Sequence, residues 1–165
     1  MPQRLAQNGL TEESVWDYPR PPAVEPCRRR VRIEHDGAVI ADSNRALRVL
    51  ETASPPTIYI PTKDIDTGLL TPAPGKRSAC EWKGMASYFH VGSGDRLAEH
   101  AAWTYEDPKD PYSVLRGHIA FYAGRLDACQ LDEELVTPQG GAFYGGWVTA
   151  EIIGPHKGEA GTEGW

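Results

Sequence analysis

Arg30-Val31-Arg32-Ile33-Glu34-His35-Asp36-Gly37-Ala38-Val39-Ile40-Ala41-Asp42 decides the fold class. Val31 and Ile33 alternate with Arg30, Arg32 and Glu34, which is the period-two pattern of a strand with one buried face. Asp36-Gly37 is a dipeptide favoured in two-residue hairpin turns, and Ala38 to Asp42 supplies the returning strand. Downstream, Thr57-Ile58-Tyr59-Ile60 is rich in strand formers and is stopped by Pro61. Between them, Asn44 to Glu51 fits either a short helix or an alternating strand, because Leu47, Val49 and Leu50 satisfy both periods. Pro72, Pro74 and Gly75 predict a surface loop, followed by strands at Ser78 to Glu81 and Met85 to Val91 around a turn at Trp82-Lys83-Gly84. Leu97 to Tyr105 reads as another strand, although its alanines and Glu99 permit a helical turn. Asp110 to Gly117 is the best helix candidate, with Asp110 as cap and Pro111 in the first position. Ile119 to Tyr122 and Ala128 to Leu131 read as strands, and Asp132-Glu133-Glu134 as a polar turn into Leu135-Val136.

The sum is a mainly β protein, one domain of antiparallel sheets over residues 28–165 with one or two short helices. Residues 1–27 carry Trp16, Tyr18, Pro19, Pro21, Pro22 and Pro26, and read as an extended proline-rich N-terminal arm whose aromatic pair packs on the body or on a second subunit. A chain of 165 residues can bury a substantial core without disulfides or a structural metal. The three cysteines, Cys27, Cys80 and Cys129, are odd in number and widely spaced, which suits reduced thiols. With no long apolar stretch and no signal-like start, the expected location is the cytoplasm. A net charge of -6 opposes a nucleic-acid partner, and no membrane partner is expected; the chain would be a monomer or homodimer. Arg28-Arg29-Arg30 reads as a solvated strand face rather than an anion site.

Familiar enzymatic motifs are missing. The five histidines and three cysteines lack zinc-site spacing, so no metal is expected, and with no Walker loop or dinucleotide fingerprint no cofactor is expected either. Gly92-Ser93 and Asp64-Ile65-Asp66 are fragments known from polymerase-type nucleotidyltransferases, but in the wrong order, and both read as turn residues. Cys80-Glu81-Trp82-Lys83 puts a thiol near an amine, an arrangement that can favour thiolate, although a small buried hydrophobe with Lys83 on the surface is the plainer reading. Arg45 and Glu51, six apart, would share one face of a strand and could flank a pocket or form a surface pair. Trp82, Trp103, Tyr105, Phe121, Tyr122, Tyr144 and Trp147 read mostly as core, with a minority able to line a concave site.

The C-terminal run Gly140-Gly141-Ala142-Phe143-Tyr144-Gly145-Gly146-Trp147, with Gly154-Pro155-His156-Lys157-Gly158 after it, pairs glycines with large rings where backbone turns tightly or approaches a neighbour closely. Together with Glu13-Ser14-Val15-Trp16-Asp17-Tyr18-Pro19-Arg20-Pro21-Pro22, Val49-Leu50-Glu51-Thr52, Tyr59-Ile60-Pro61, Cys80-Glu81-Trp82-Lys83-Gly84, Trp103-Thr104-Tyr105 and Ala120-Phe121-Tyr122, it resembles the bacterial family called domain of unknown function 427. The resemblance implies a β-tent fold, antiparallel sheets around a central pocket, as in methionine-R-sulfoxide reductases and the thalidomide-binding domain of cereblon; it does not imply their activities. The family has sometimes been labelled a nucleotidyltransferase, a label the residues support little.

The preferred expectation is a protein that binds a small polar or planar ligand between sheets. Its expected ligand-binding residues are Arg45, Glu51, Tyr59, Cys80, Lys83, Trp103 and Tyr105. Arg45 and Lys83 would answer an anionic group, Glu51 would orient a donor or hold Lys83, and the rings would stack. The alternatives are an enzyme using the same pocket, nucleotidyltransferase-like or thiol-dependent with Cys80, Lys83 and Glu51 as candidates, and a structural or interaction module whose arm carries Trp16 and Tyr18 to a partner.

Overall fold

Asp36 and Gly37 adopt φ of 51° and 76°, the paired positive values that a two-residue hairpin turn needs. The computed structural model of the chain describes residues 4–80, 82–139 and 145–155. Its strands, in chain order, are β1 (Glu13–Ser14), β2 (Ala23–Pro26), β3 (Val31–His35), β4 (Ala38–Ser43), β5 (Leu47–Leu50), β6 (Thr57–Pro61), β7 (Leu70–Cys80), β8 (Gly84–Val91), β9 (Ala98–Tyr105), β10 (His118–Phe121), β11 (Ala128–Leu131), β12 (Glu134–Leu135), β13 (Thr137–Pro138), β14 (Trp147–Val148) and β15 (Ile152–Ile153). The fold is mainly β. A seven-stranded sheet runs β2-β5-β6-β10-β9-β8-β7, all antiparallel, and a four-stranded sheet runs β12-β11-β3-β4. Two small pairs complete it, β13 with β14 antiparallel and β1 with β15 parallel.

The period-two rule decides what each sheet buries. Ile58, Ile60, Ile119 and Phe121 of the large sheet meet Val31, Ile33, Cys129 and Leu131 of the smaller one in a single apolar cluster that includes Trp147. Their neighbours along the same strands, Tyr59, Ala120 and Tyr122, point the other way and join Tyr88, Trp103, Tyr105 and Tyr112 in a second cluster. The large sheet therefore packs on both faces, with mainly aliphatic residues and Phe121 toward the small sheet and most of its rings on the outer face. That division positions the site described below.

Several sequence expectations resolve here. Asn44 to Glu51 contains a strand, β5, because both its neighbours in the sheet, β2 and β6, supply a hydrogen-bonded ladder that a lone segment lacks. Pro72-Pro74-Gly75 is not a loop: β7 runs through it, at the edge of the sheet, where proline is tolerated, and the register slips between Ala73 and Arg77. The helix expected at Asp110 to Gly117 is a 3₁₀ turn, Tyr112–Leu115, with Pro111 and not Asp110 at its cap. Tyr112 and Leu115 are buried there and hold the turn by packing. Among the described residues every helical segment is such a short 3₁₀ turn, and none is long and apolar enough to cross a membrane.

The proline-rich arm packs on its own chain. Val15 and Tyr18 bury against Leu50 and Ile152, and Ala23 to Pro26 is an edge strand of the large sheet, whereas the Trp16 ring is half exposed and donates its Nε1–H to the Pro155 carbonyl at 2.9 Å. Arg28 to Arg30 precede β3; Arg28 and Arg30 are exposed as expected of a solvated run, whereas the Arg29 guanidinium turns inward to Asp132, Glu134 and Glu151. In the glycine-aromatic ending, Gly140 to Tyr144, His156 to Gly158 and Trp165 lie outside the described residues, as does Glu81. Within them, a Cβ on Gly145 would stand 2.2 Å from the Trp103 ring, and one on Gly146 would stand 2.7 Å from the Pro55 carbonyl oxygen. Only glycine fits either place.

Candidate functional site

Cross-strand register brings the site together. Tyr88 lies directly opposite Trp103, Trp103 opposite Ala120, and Ala120 opposite Tyr59, so one row of side chains crosses four strands on the outer face. Ala120 is the smallest member, and the rings on either side lean across it. The Trp103 Nε1–H donates to the Tyr59 hydroxyl at 3.3 Å, with the ring centroids 6.2 Å apart and nearly perpendicular. Tyr105, two residues beyond Trp103 on β9, falls on the same face, 6.3 Å from Tyr59, and Tyr122 packs on Trp103 at 4.6 Å. Cys80 ends β7, and Lys83 occupies the turn into β8. Glu51 follows β5, and Gly145 closes against the Trp103 ring.

These residues enclose a cavity of about 260 Å³. Glu51, Tyr59, Cys80, Lys83, Trp103 and Tyr105 all line it, six of the seven residues expected from sequence. Ser78, Tyr88, Tyr122 and Gln139 line it too and were not among those seven. Tyr88 and Ser78 carry a readable signal in hindsight: each shares strand parity with a neighbour on the outer face, and their hydroxyls hydrogen-bond to one another at 2.8 Å. Gln139 has no such signal, because it arrives from a distant segment, where its side-chain carbonyl accepts the Gly146 amide at 3.0 Å.

Arg45 stands elsewhere. It precedes β5, so strand parity does not carry it to the face of Glu51, and it lines a separate surface depression with Arg30, Asp42 and Asp64. There its guanidinium grips Asp64 at 2.9 and 2.8 Å while Ser43 donates to the same carboxylate at 2.6 Å. Those hydrogen bonds from Arg45 and Ser43 hold the Asp64 carboxyl down to about 2. A depressed native value stabilises the fold above the ordinary carboxylate range and loses that contribution as pH falls through the native value. Acid unfolding followed by circular dichroism should therefore steepen between about pH 4 and pH 2, and Asp64→Asn should flatten that limb. An unchanged acid limb would show that this pairing carries no folding energy.

Inside the cavity the electrostatics differ. Burial raises the Tyr59, Tyr105 and Tyr122 phenols well above their usual range, so they stay neutral hydrogen-bonding groups. Lys83, expected at the surface, is only 7 % exposed. Its Nζ lies 5.8 Å from the centroids of both Tyr105 and Tyr112. Among the described residues it has no hydrogen-bond or ion-pair partner. Cys80 is half-buried, while Cys27 and Cys129 are buried, with burial pushing the Cys27 thiol up and the Cys129 thiol to about 12. Iodoacetamide at pH 8 is accordingly expected to label Cys80 at least about tenfold faster than the other two, since thiolate and access both govern the rate. Equal rates, read by peptide mass spectrometry, would remove the thiol-dependent reading of the site.

A second cavity, of about 290 Å³, lies behind the first on the opposite face of β6. Ile58, pointing away from Tyr59, forms its floor with Trp147, Pro56 and Leu131. On its charged rim, Arg48 binds Glu13 and Glu25, and Arg29 binds Glu134 and Glu151. Groups of three or more histidine, cysteine or acidic side chains able to hold a metal do not occur among the described residues.

Fold and cavity define a mainly β, antiparallel domain with a ring-lined cavity on the outer face of its large sheet. The model of the family described as domain of unknown function DUF427 matches residues 23–132, and the chain belongs to that family. The match begins at the first residue of β2. No curated protein matches the chain.

Proposed function

We propose that this protein binds a small planar ligand carrying polar groups in the cavity on the outer face of the large sheet. The observation that carries the reading is the convergence, from four separate chain segments, of Glu51, Tyr59, Cys80, Lys83, Trp103 and Tyr105 on one space of about 260 Å³. Apolar ring walls with a few fixed polar groups are the usual make-up of small-molecule sites. The Trp103 to Tyr59 hydrogen bond and the Gly145 contact fix the rings before any ligand arrives, which lowers the entropic cost of binding. The site works in a reducing compartment, the cytoplasm, in keeping with three unpaired thiols.

Calorimetry on compounds selected by thermal shift tests this. Tyr59→Ala removes one wall and should weaken binding by about ten- to a hundredfold, the loss of a buried aromatic contact. Undiminished binding by a correctly folded Tyr59→Ala protein would move the site away from this cavity. A nucleotidyltransferase reading gains no support from Asp64, which lies outside the cavity and is committed to Arg45 and Ser43.

A further inference from the structure

Lys83 is the anomaly of the cavity. Charges buried elsewhere in this protein are compensated: Arg29 by three carboxylates and Arg48 by two. The Lys83 side chain is mostly buried, but its Nζ opens on the cavity, where among the described residues it has no ion pair or hydrogen bond and only two ring faces at 5.8 Å for company. Attraction to a ring face is weaker than a charge-assisted hydrogen bond to an anion. A cation that faces a ring-lined cavity with no ion pair among the described residues is placed to answer an anion that arrives from outside.

Charge and size narrow the anion. The cavity offers one ammonium against one carboxylate, Glu51, and among the described residues it has neither a second lysine or arginine nor a pair of acidic side chains for magnesium. A triphosphate needs a nest of backbone amides, further cations and a metal held by carboxylates, so it is a poor match. A single carboxylate group suits one lysine. The volume of about 260 Å³ admits a body of one or two rings, since a 150 Å³ cavity already accepts benzene and drug-sized ligands occupy roughly 300 Å³ upward.

We propose that the ligand class is a planar monocarboxylate of one or two rings, its carboxylate on Lys83 Nζ, its rings against Tyr59, Trp103 and Tyr105, and a donor group turned to Glu51. The proposal rests on the reading of this cavity as a ligand site and adds the charge that the ligand must carry.

Two experiments test it. The first is a thermal shift: indole-3-carboxylate should raise the melting temperature of the wild type by more than that of Lys83→Met, which keeps the length of the side chain and removes its charge. Equal shifts in the two proteins would overturn the proposal. The second is titration calorimetry with indole-3-carboxylate, indole-3-carboxamide and adenosine monophosphate. The wild type should bind the carboxylate at least about tenfold more tightly than the isosteric carboxamide, roughly one charge-assisted contact. Lys83→Met should lose that preference. Equal binding of carboxylate and carboxamide, a preference that survives Lys83→Met, or tighter binding of the monophosphate each overturns the monocarboxylate assignment. Carboxamide binding that is lost in Tyr59→Ala leaves the planar-ligand reading standing when the charge assignment fails. No binding of either indole at millimolar concentration removes both.

Discussion

Trp147→Ala is expected to cost about 3–5 kcal/mol of folding free energy, the range for removing a large buried ring. Trp147 is 2 % exposed and sits where the two main sheets meet, in contact with the cluster that includes Ile58, Phe121 and Leu131. Its indole N–H donates to the Phe121 carbonyl at 2.9 Å, and its backbone amide donates to Pro56 at 2.8 Å. Truncation opens a void between sheets and leaves the Phe121 carbonyl without its donor. Urea denaturation would read the loss directly, and Trp147→Phe should recover most of the ring volume while still losing about 1–2 kcal/mol for the orphaned carbonyl. A loss below 1 kcal/mol for the alanine variant would show that the C-terminal segment is not docked as described.

Arg29→Ala should be as damaging, about 3–5 kcal/mol, for a different reason. Arg29 holds Asp132, Glu134 and Glu151 at 3.1, 2.9 and 3.4 Å, and the Glu151 side chain is only 7 % exposed. Removing the guanidinium leaves a buried carboxylate uncompensated, apart from hydrogen bonds from Asn8 and Thr149. Burial alone would raise the Glu134 carboxyl, but hydrogen bonds from Asn8, the Ala150 amide and Arg29 more than reverse this and bring it below its ordinary range. A lowered native value means that Glu134 stabilises the fold above the ordinary carboxylate pKa and loses this as pH falls through the native value. The destabilisation by Arg29→Ala should therefore shrink in acid. Adding Glu151→Gln should restore part of the loss at neutral pH, with a coupling of about 0.5–3 kcal/mol in the double-mutant cycle. Strict additivity would mean that the network is decorative.

Much of the fold was legible because its signals are local. Asp36-Gly37 between alternating runs specifies a hairpin whatever surrounds it, since the positive φ values are needed within those two residues. The strands at Thr57, Met85 and Ala128 are likewise written in β-branched and alternating residues. Pro72 to Gly75 and Asp110 to Gly117 were misread because their state depends on non-local partners: an edge position tolerates the prolines of β7, and the packing of Tyr112 and Leu115 shortens the helix to one 3₁₀ turn. Arg29 escaped for the same reason, as its three carboxylates come from positions more than a hundred residues away.

The candidate site divides along the same line. Sequence by itself determined the class of the protein, the strand parities that put Tyr59, Trp103 and Tyr105 on one face, and the glycine-ring pairing at Gly145 to Trp147, because alternation and backbone sterics act over a few residues. Tertiary structure alone decided that Arg45 belongs to Asp64, that Lys83 lines the ring-walled cavity with no ion pair among the described residues, and that Ile58 and Tyr59 open onto different cavities. Charge compensation and burial are properties of neighbours brought together by register across four strands, and no stretch of the chain contains them.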